Sequence, residues 1–321
     1  MQSLARSVWI LGSCFLLLAE VAQATPLVVE TDPLPPEQQR AMFHLPPGFE
    51  IQLVVSEPLI GQPMNLNFDA AGRLYITSSV EYPYPAQGDG VEPREERFDG
   101  PSSPAPRDTL TVVEGIGPDG KPAKVSTFVG GLNIPIGTVP TIDGAIIFSI
   151  PNIVRYYDRN GDGKSDDQEI LYGKIGNLDT HGMASSFTRW IDGWVYATHG
   201  FRNTSNIKGR NGQSLTLNSG NTFRFKADGS AIEQFTWGQV NPFGLCFDHW
   251  GNAFDADCHS MPLTMLLRGA YYSSFGKPHD GLGFAPNMME KMRGSTAIDG
   301  VSVYADDLWP EEFRGDRKSV V

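Results

Sequence analysis

The sequence predicts an all-β fold of the β-propeller kind. Three observations carry this: a turn phrase recurring at long intervals, short β-branched and aromatic runs cut by glycine and proline, and little long helical periodicity. Of 321 residues, 35 are glycine and 24 proline. The phrase reads as a proline or glycine, an apolar strand, an Asp/Gly turn and a second apolar strand. Pro63 to Thr77 and Pro242 to Phe254 share Phe-Asp-x-x-Gly in one register, at Asp69–Gly72 and Asp248–Gly251. Pro135 to Phe148 and Met183 to Tyr196 are looser copies. Their turn glycines (72, 144, 193, 251) lie 72, 49 and 58 residues apart. Units of that size hold about four strands each, which is what a propeller blade needs. A β-sandwich is the alternative, but it requires no such recurrence.

The elements follow in chain order. Arg6, the apolar run Val8 to Leu18 and the small residues Ala22-Gln23-Ala24 read as a signal peptide over 1–24, cleaved before Thr25. A retained anchor is the weaker reading because the run is short for a bilayer, and the lipid-attachment reading at Cys14 is weaker still. Export to the periplasm or the extracellular space follows, with no transmembrane anchor after cleavage. Residues 25–47 form an N-terminal segment with a short helix over Pro36 to Met42. Residues 48–316 hold the propeller, with four or five blades, and 317–321 form a tail of anomalous composition. A second short helix is expected over Met288 to Met292.

Between two strand-like runs lies Asp158 to Glu169, which fills every place of a twelve-residue calcium loop. Oxygen side chains stand at Asp158, Asn160, Asp162, Asp166 and Glu169, with Lys164 offering its carbonyl and Gly163 at place 6. Ca²⁺ wants six to eight such oxygens. The flanks Ile153–Tyr157 and Ile170–Gly173 are strands, so the ion would staple a β-turn rather than drive a helical switch. An acidic solvated turn is the plain alternative. The phrase Glu114 to Lys121 matches it one unit earlier but lacks the acidic side chains at places 3 and 5, so an empty turn is expected there.

The net charge of −12 argues against a nucleic-acid partner. Two cysteines remain after cleavage, Cys246 and Cys258. A disulfide is possible in an oxidising compartment, but a hairpin turn over Asp248–Gly251 sets Cys246 against about Ala253, and two free buried thiols are equally expected. No Cys-x-x-Cys-His occurs, so no haem is expected in this chain, and no Gly-x-Gly-x-x-Gly loop supports a nicotinamide route. Trp190, Trp194, Trp237 and Trp250 are expected to pack between blades. Asn203-Thr204-Ser205 is a formal glycosylation acceptor and marks an exposed loop.

Phe43 to Leu59, the acidic loop, Asp192-Gly-Trp-Val-Tyr196 and Asn241-Pro242-Phe-Gly244 together resemble the membrane-bound dehydrogenase domain family, from about Pro35 to Gly315. Longer members of that family carry a haem-binding domain after the propeller, so the chain looks C-terminally truncated. The family is similar to the soluble quinoprotein glucose and sorbosone dehydrogenases, six-bladed propellers using pyrroloquinoline quinone. The resemblance implies that His181, in Asp179-Thr-His181-Gly182, is the general base for a sugar or other alcohol, with electrons passing to a carrier such as a cytochrome c. A neutral imidazole suits that work, and Asp179 would orient it. In the second family phrase Asn241 carries over as a cofactor contact, but Val240 stands where that family has arginine. Arg202, Lys208, Arg210 or Arg268 would have to meet the quinone's carboxylates, Arg202 lying nearest to the His199-Gly200 turn. His199 and His259 are read as structural or channel-lining. Beside the secreted dehydrogenase stand two other readings, a non-catalytic calcium-stabilised propeller binding a glycan or protein, and an inactive fragment.

Overall fold

The structure is a computed structural model that describes residues 32–93, 100–259, 263–272, 274, 298–315 and 317–319. The signal-peptide segment and the second short helix fall outside these residues. The chain divides into a unit up to Pro47 and a unit from Gly48 onward. In the first, helix α1 (Pro36–Ala41) starts on a proline, with Glu37 in its first turn and Arg40 in its last, each favourable to the helix dipole. Among the described residues no helix is long and apolar enough to cross a membrane.

The second unit is built of antiparallel sheets that follow one another along the chain. Blade 1 is β1 (Gln62–Phe68), β2 (Leu74–Ser79), β3 (Asp108–Glu114) and β4 (Lys124–Leu132), in that spatial order. Blade 2 repeats it with β5 (Gly137–Thr141), β6 (Gly144–Ser149), β7 (Asn152–Tyr157) and β8 (Asp167–Gly173). Blade 3 begins with β9 (Ala184–Arg189) and β10 (Val195–His199). The hairpin β11 (Thr204–Gly209) and β12 (Ser214–Asn218) then leaves it to extend the outer edge of blade 2, pairing Lys208 with Gly173. Blade 3 resumes with β13 (Asn221–Phe225) and β14 (Ile232–Thr236). Blade 4 holds β15 (Pro242–Phe247), β16 (Ala253–Asp257) and β17 (Thr264–Leu266), and β18 (Val301–Val303) pairs with β19 (Arg317–Ser319) beyond it. Within the tail expected over 317–321, Arg317–Ser319 forms strand β19.

Each blade's first strand packs against the first strand of the next: β1 on β5, β5 on β9, β9 on β15, β15 on β18. Successive up-and-down sheets joined through their inner strands are the β-propeller architecture. The turn glycines 72, 193 and 251 fall between a blade's first and second strands and Gly144 opens the second strand of blade 2, so the phrase seen in the sequence is one hairpin repeated four times. Likewise the Glu114–Lys121 and Asp158–Glu169 phrases occupy the same place, the turn between third and fourth strands of blades 1 and 2.

Both faces of the inner blades are buried, and the two-residue period of a strand explains how. In β6, Ile146 and Phe148 enter a core with Phe187, Phe223 and Phe225 of blade 3. The alternate residues Ala145 and Ile147 enter another with Tyr75, Leu110 and Phe128 of blade 1. In blade 1, Tyr75 faces blade 2, while Leu74 and Ile76 face outward under Val54, Val55 and Ile60. Blades 3 and 4 meet through Tyr196, Phe235 and Leu245, with Trp190 stacked on Phe247 at 4.5 Å. Trp194 lies under Arg224, and Trp237 packs on Tyr271. Trp250 departs from expectation: it sits 78% exposed at the tip of the β15–β16 hairpin, beside His249. Near the axis, the Asn67 amide donates to the Thr138 carbonyl (2.9 Å) and the Phe187 carbonyl (3.0 Å), tying three inner strands. Phe49, near the start of this unit, packs edge-on against Trp309 and Phe313 near its end.

Cys246 lies opposite Phe254 rather than Ala253, one residue from the expected register, and both cysteines are free thiols. Next to them Asp255 is fully buried. Its carboxyl accepts from the Gln239 amide on one oxygen, and the other oxygen has no partner. Burial, opposed by that hydrogen bond, raises its pKa well above the usual carboxylate value. A raised acid pKa means the folded state holds the proton more tightly. The stability this supplies is complete below about pH 4 and is lost as pH rises through the raised value. Asp255→Asn should abolish that part of the decline in urea unfolding at pH 4, 6 and 8. Parallel curves for the two proteins would remove the argument.

Candidate active site

The segment after β8 reaches the end of the propeller and turns at Asp179-Thr180-His181-Gly182 before β9 begins. Asn203 holds this turn in place. Its amide donates to the carbonyls of Asp179 (2.7 Å) and Gly182 (2.6 Å), and its oxygen accepts from the Asp179 N–H at 3.0 Å. Asn203 is thus buried and engaged, which corrects its reading as an exposed glycosylation acceptor. The Thr180 hydroxyl donates to the Pro83 carbonyl at 2.7 Å, fastening the turn to the loop after β2.

Asp179 and His181 meet as the sequence suggested. Asp179 Oδ1 accepts from the His181 backbone N–H at 3.1 Å and lies 2.9 Å from Nδ1 of the ring. The Asp179 side chain is 8% exposed and that of His181 51%. Burial alone would raise the Asp179 pKa, but the hydrogen bonds from His181 outweigh it and hold the group below the usual carboxylate value. An ionised Asp179 only accepts, so Nδ1 carries the proton and Nε2 the lone pair. Tyr82 packs edge-on against the imidazole at 5.5 Å, its hydroxyl pushed up to about 12, first by burial and then by Asp179.

The pair lines a cavity of roughly 520 Å³. Apolar and aromatic residues form most of its wall, among them Met64, Tyr82, Phe201, Phe243 and Ile298, with Asn241, Cys258, His259 and Asp299 adding polar groups. Burial lifts the Cys258 thiol to about 11, so it is not a thiolate nucleophile. Burial likewise raises the Asp299 carboxyl.

Asn241, expected as a cofactor contact, lines the cavity, and its amide also holds protein groups. Oδ1 accepts from the Phe201 N–H at 2.8 Å, and Nδ2 donates to the His181 carbonyl and to Cys258 Sγ, both at 3.1 Å. The two turns it joins cross at Gly182 and Gly200. A Cβ on Gly200 would stand 2.2 Å from Asn241 Oδ1 and 2.4 Å from Gly182 Cα, so only glycine fits. Val240, where the resembled family has arginine, is wholly buried. Arg202 is not among the lining residues; its charge reaches Asp179 only as the smallest of the contributions named. Arg210 pairs with Glu169 and Arg268 with Glu233. His199 is structural: buried between the Ser219 carbonyl and the Ser205 hydroxyl, its pKa falls to about 4 through burial. His259 lines the cavity. Tyr82 and Asp299 had no motif to announce them, and the motif at Asn203 pointed to a surface role.

A tricarboxylate quinone fits this wall poorly, because the described lining residues bring two carboxyl groups and no lysine or arginine.

The acidic loop lies in the turn between β7 and β8. Asp158 accepts from the N–H groups of Gly161, Asp162 and Gly163, Asn160 from Asp162, and Asp162 from Lys164. Asp166 accepts from Arg159 and Asn160. Glu169 lies in β8, bonded to the Tyr157 hydroxyl at 3.0 Å and paired with Arg210 at 2.9 Å. Among the described residues no three His, Cys, Asp or Glu side chains gather as a metal site would require. These short side chains brace the turn's own amides and keep further lone pairs. Melting with and without chelator tests the ion. A fall in chelator, restored by Ca²⁺ and absent in Asp162→Ala, would support a bound Ca²⁺, and unchanged melting would contradict it.

The fold and the cavity define a β-propeller with an imidazole–carboxylate pair at one end. The chain belongs to the family described as Domain of unknown function (DUF7133), which it matches over residues 35–318. No curated protein sequence matches it. Among solved structures it is similar to the pyrroloquinoline-quinone-bound aldose sugar dehydrogenase of Streptomyces coelicolor: 15% identity, 75% of this chain and 71% of that one, TM-score 0.43. A Thermus thermophilus protein described as a putative oxidoreductase (glucose dehydrogenase) gives 14%, 69%, 66% and 0.37. The virginiamycin B lyase of Staphylococcus aureus gives 11%, 67%, 72% and 0.36. At such scores the architecture rests on the strand order described above.

Proposed function

We propose that the cavity binds a small hydroxyl-bearing molecule, a sugar or other alcohol, and that His181 removes the hydroxyl proton through Nε2. The observation that carries this is the 2.9 Å contact between Asp179 Oδ1 and His181 Nδ1 beside an open cavity. Asp179 holds the tautomer and balances the charge the ring acquires. Asn203 and Asn241 position the turn, and the aromatic wall limits water around the reacting group. The resemblance to dehydrogenases makes oxidation of that alcohol the reading, within an exported protein that hands electrons to a carrier such as a cytochrome c. In such an oxidation the hydride must pass to an acceptor. The described residues do not match the charge of pyrroloquinoline quinone, and no step is assigned to it.

The test is dye-linked oxidation of a panel of sugars and alcohols, with and without added quinone and Ca²⁺, in wild type and His181→Ala. Reduction in the wild type, lost in a variant that melts normally, supports the reading. A folded wild type inert across the panel, yet binding a glycan or protein, would favour the recognition module instead.

A further inference from the structure

We propose that the cavity selects an alcohol that also carries an ammonium group, with Asp299 as its counter-ion and the hydroxyl presented to His181. This rests on the reading of His181 above and names its substrate class. The wall holds two carboxyl groups with different circumstances. Asp179 is committed to His181 through two hydrogen bonds. Asp299, exposed on the wall, has no hydrogen-bond or ion-pair partner among the described residues. A carboxyl group that faces the cavity without such a partner is placed to meet a cation there.

Its neighbours suit a cation. Tyr82, Phe201 and Phe243 line the same cavity, and aromatic faces attract ammonium and trimethylammonium groups. No lysine or arginine stands among the described lining residues to compete, and the two histidines, His181 and His259, are neutral when unprotonated. The position of Asp299 is built into the sheet. Gly244 of β15 lets the segment before β18 approach so closely that a Cβ there would stand 2.3 Å from the Asp299 carbonyl oxygen and 2.6 Å from the Val301 nitrogen. The Asn241-Pro242-Phe243-Gly244 phrase thus supplies the cross-link between turns, an aromatic wall residue and the room for Asp299.

The experiment compares choline with 3,3-dimethylbutan-1-ol, its uncharged isostere, by calorimetric titration of wild type, Asp299→Asn and His181→Ala. The wild type should bind choline at least about tenfold more tightly than the isostere. Asp299→Asn should bring the two affinities together, and His181→Ala should keep the preference. Equal binding of both ligands, binding of neither, or a preference that survives Asp299→Asn overturns the inference. Choline preference without dye-linked turnover supports it and contradicts the assignment of His181 as a base.

Discussion

Asn241→Ala is expected to lose about 2 kcal/mol of stability. The change removes the acceptor for the Phe201 N–H and the donor to the His181 carbonyl, both part-buried, so water replaces part of what is lost. Each such hydrogen bond contributes roughly 0.5–1.5 kcal/mol net, and the lost Cys258 contact adds to the sum. Asn241→Asp should lie between, keeping the acceptor and losing the donor. Denaturant unfolding gives the answer, and a loss below about 1 kcal/mol for alanine would show that the two turns hold together without the amide.

Asp179→Asn is expected to lower turnover by about 10²- to 10⁴-fold while leaving the fold intact. An amide in that place can donate to the ring as well as accept, so Nδ1–H is no longer enforced and Nε2 is no longer always the base. The loss should fall on kcat, because substrate contacts along Met64, Phe201 and Phe243 are untouched. A variant with wild-type kcat would leave Asp179 as no more than a brace for the turn.

Much of the architecture was legible in the sequence because blades repeat, and repetition exposes register. The turn phrase marked the first hairpin of four blades, and the Gly-Lys offset aligned the third-to-fourth-strand turns of blades 1 and 2. The β11–β12 hairpin was not legible, since it leaves its own blade to pair with β8, a choice no local pattern records. At the site, Asp179 and His181 were found because they sit two residues apart in one turn. Asn241 was found as a site residue, but only the fold shows that its amide also joins two turns. Asn203 looked like a surface acceptor for the same reason. Asp299 escaped altogether, because a lone aspartate in a loop has no spacing to read. The acidic loop was legible as a turn between third and fourth strands, and its oxygens meet backbone amides while Glu169 meets Arg210.

The measurement that bears most directly on this account is the ¹⁵N-resolved NMR spectrum of the His181 imidazole in the folded protein, with Asp179→Asn alongside. The predicted result is a single tautomer protonated at Nδ1, with an unprotonated Nε2 that shifts when a hydroxyl ligand binds, and loss of that single state in the variant. An Nε2–H tautomer, or a tautomer mixture unaffected by Asp179→Asn, would contradict the claim that this carboxylate prepares His181 as a base.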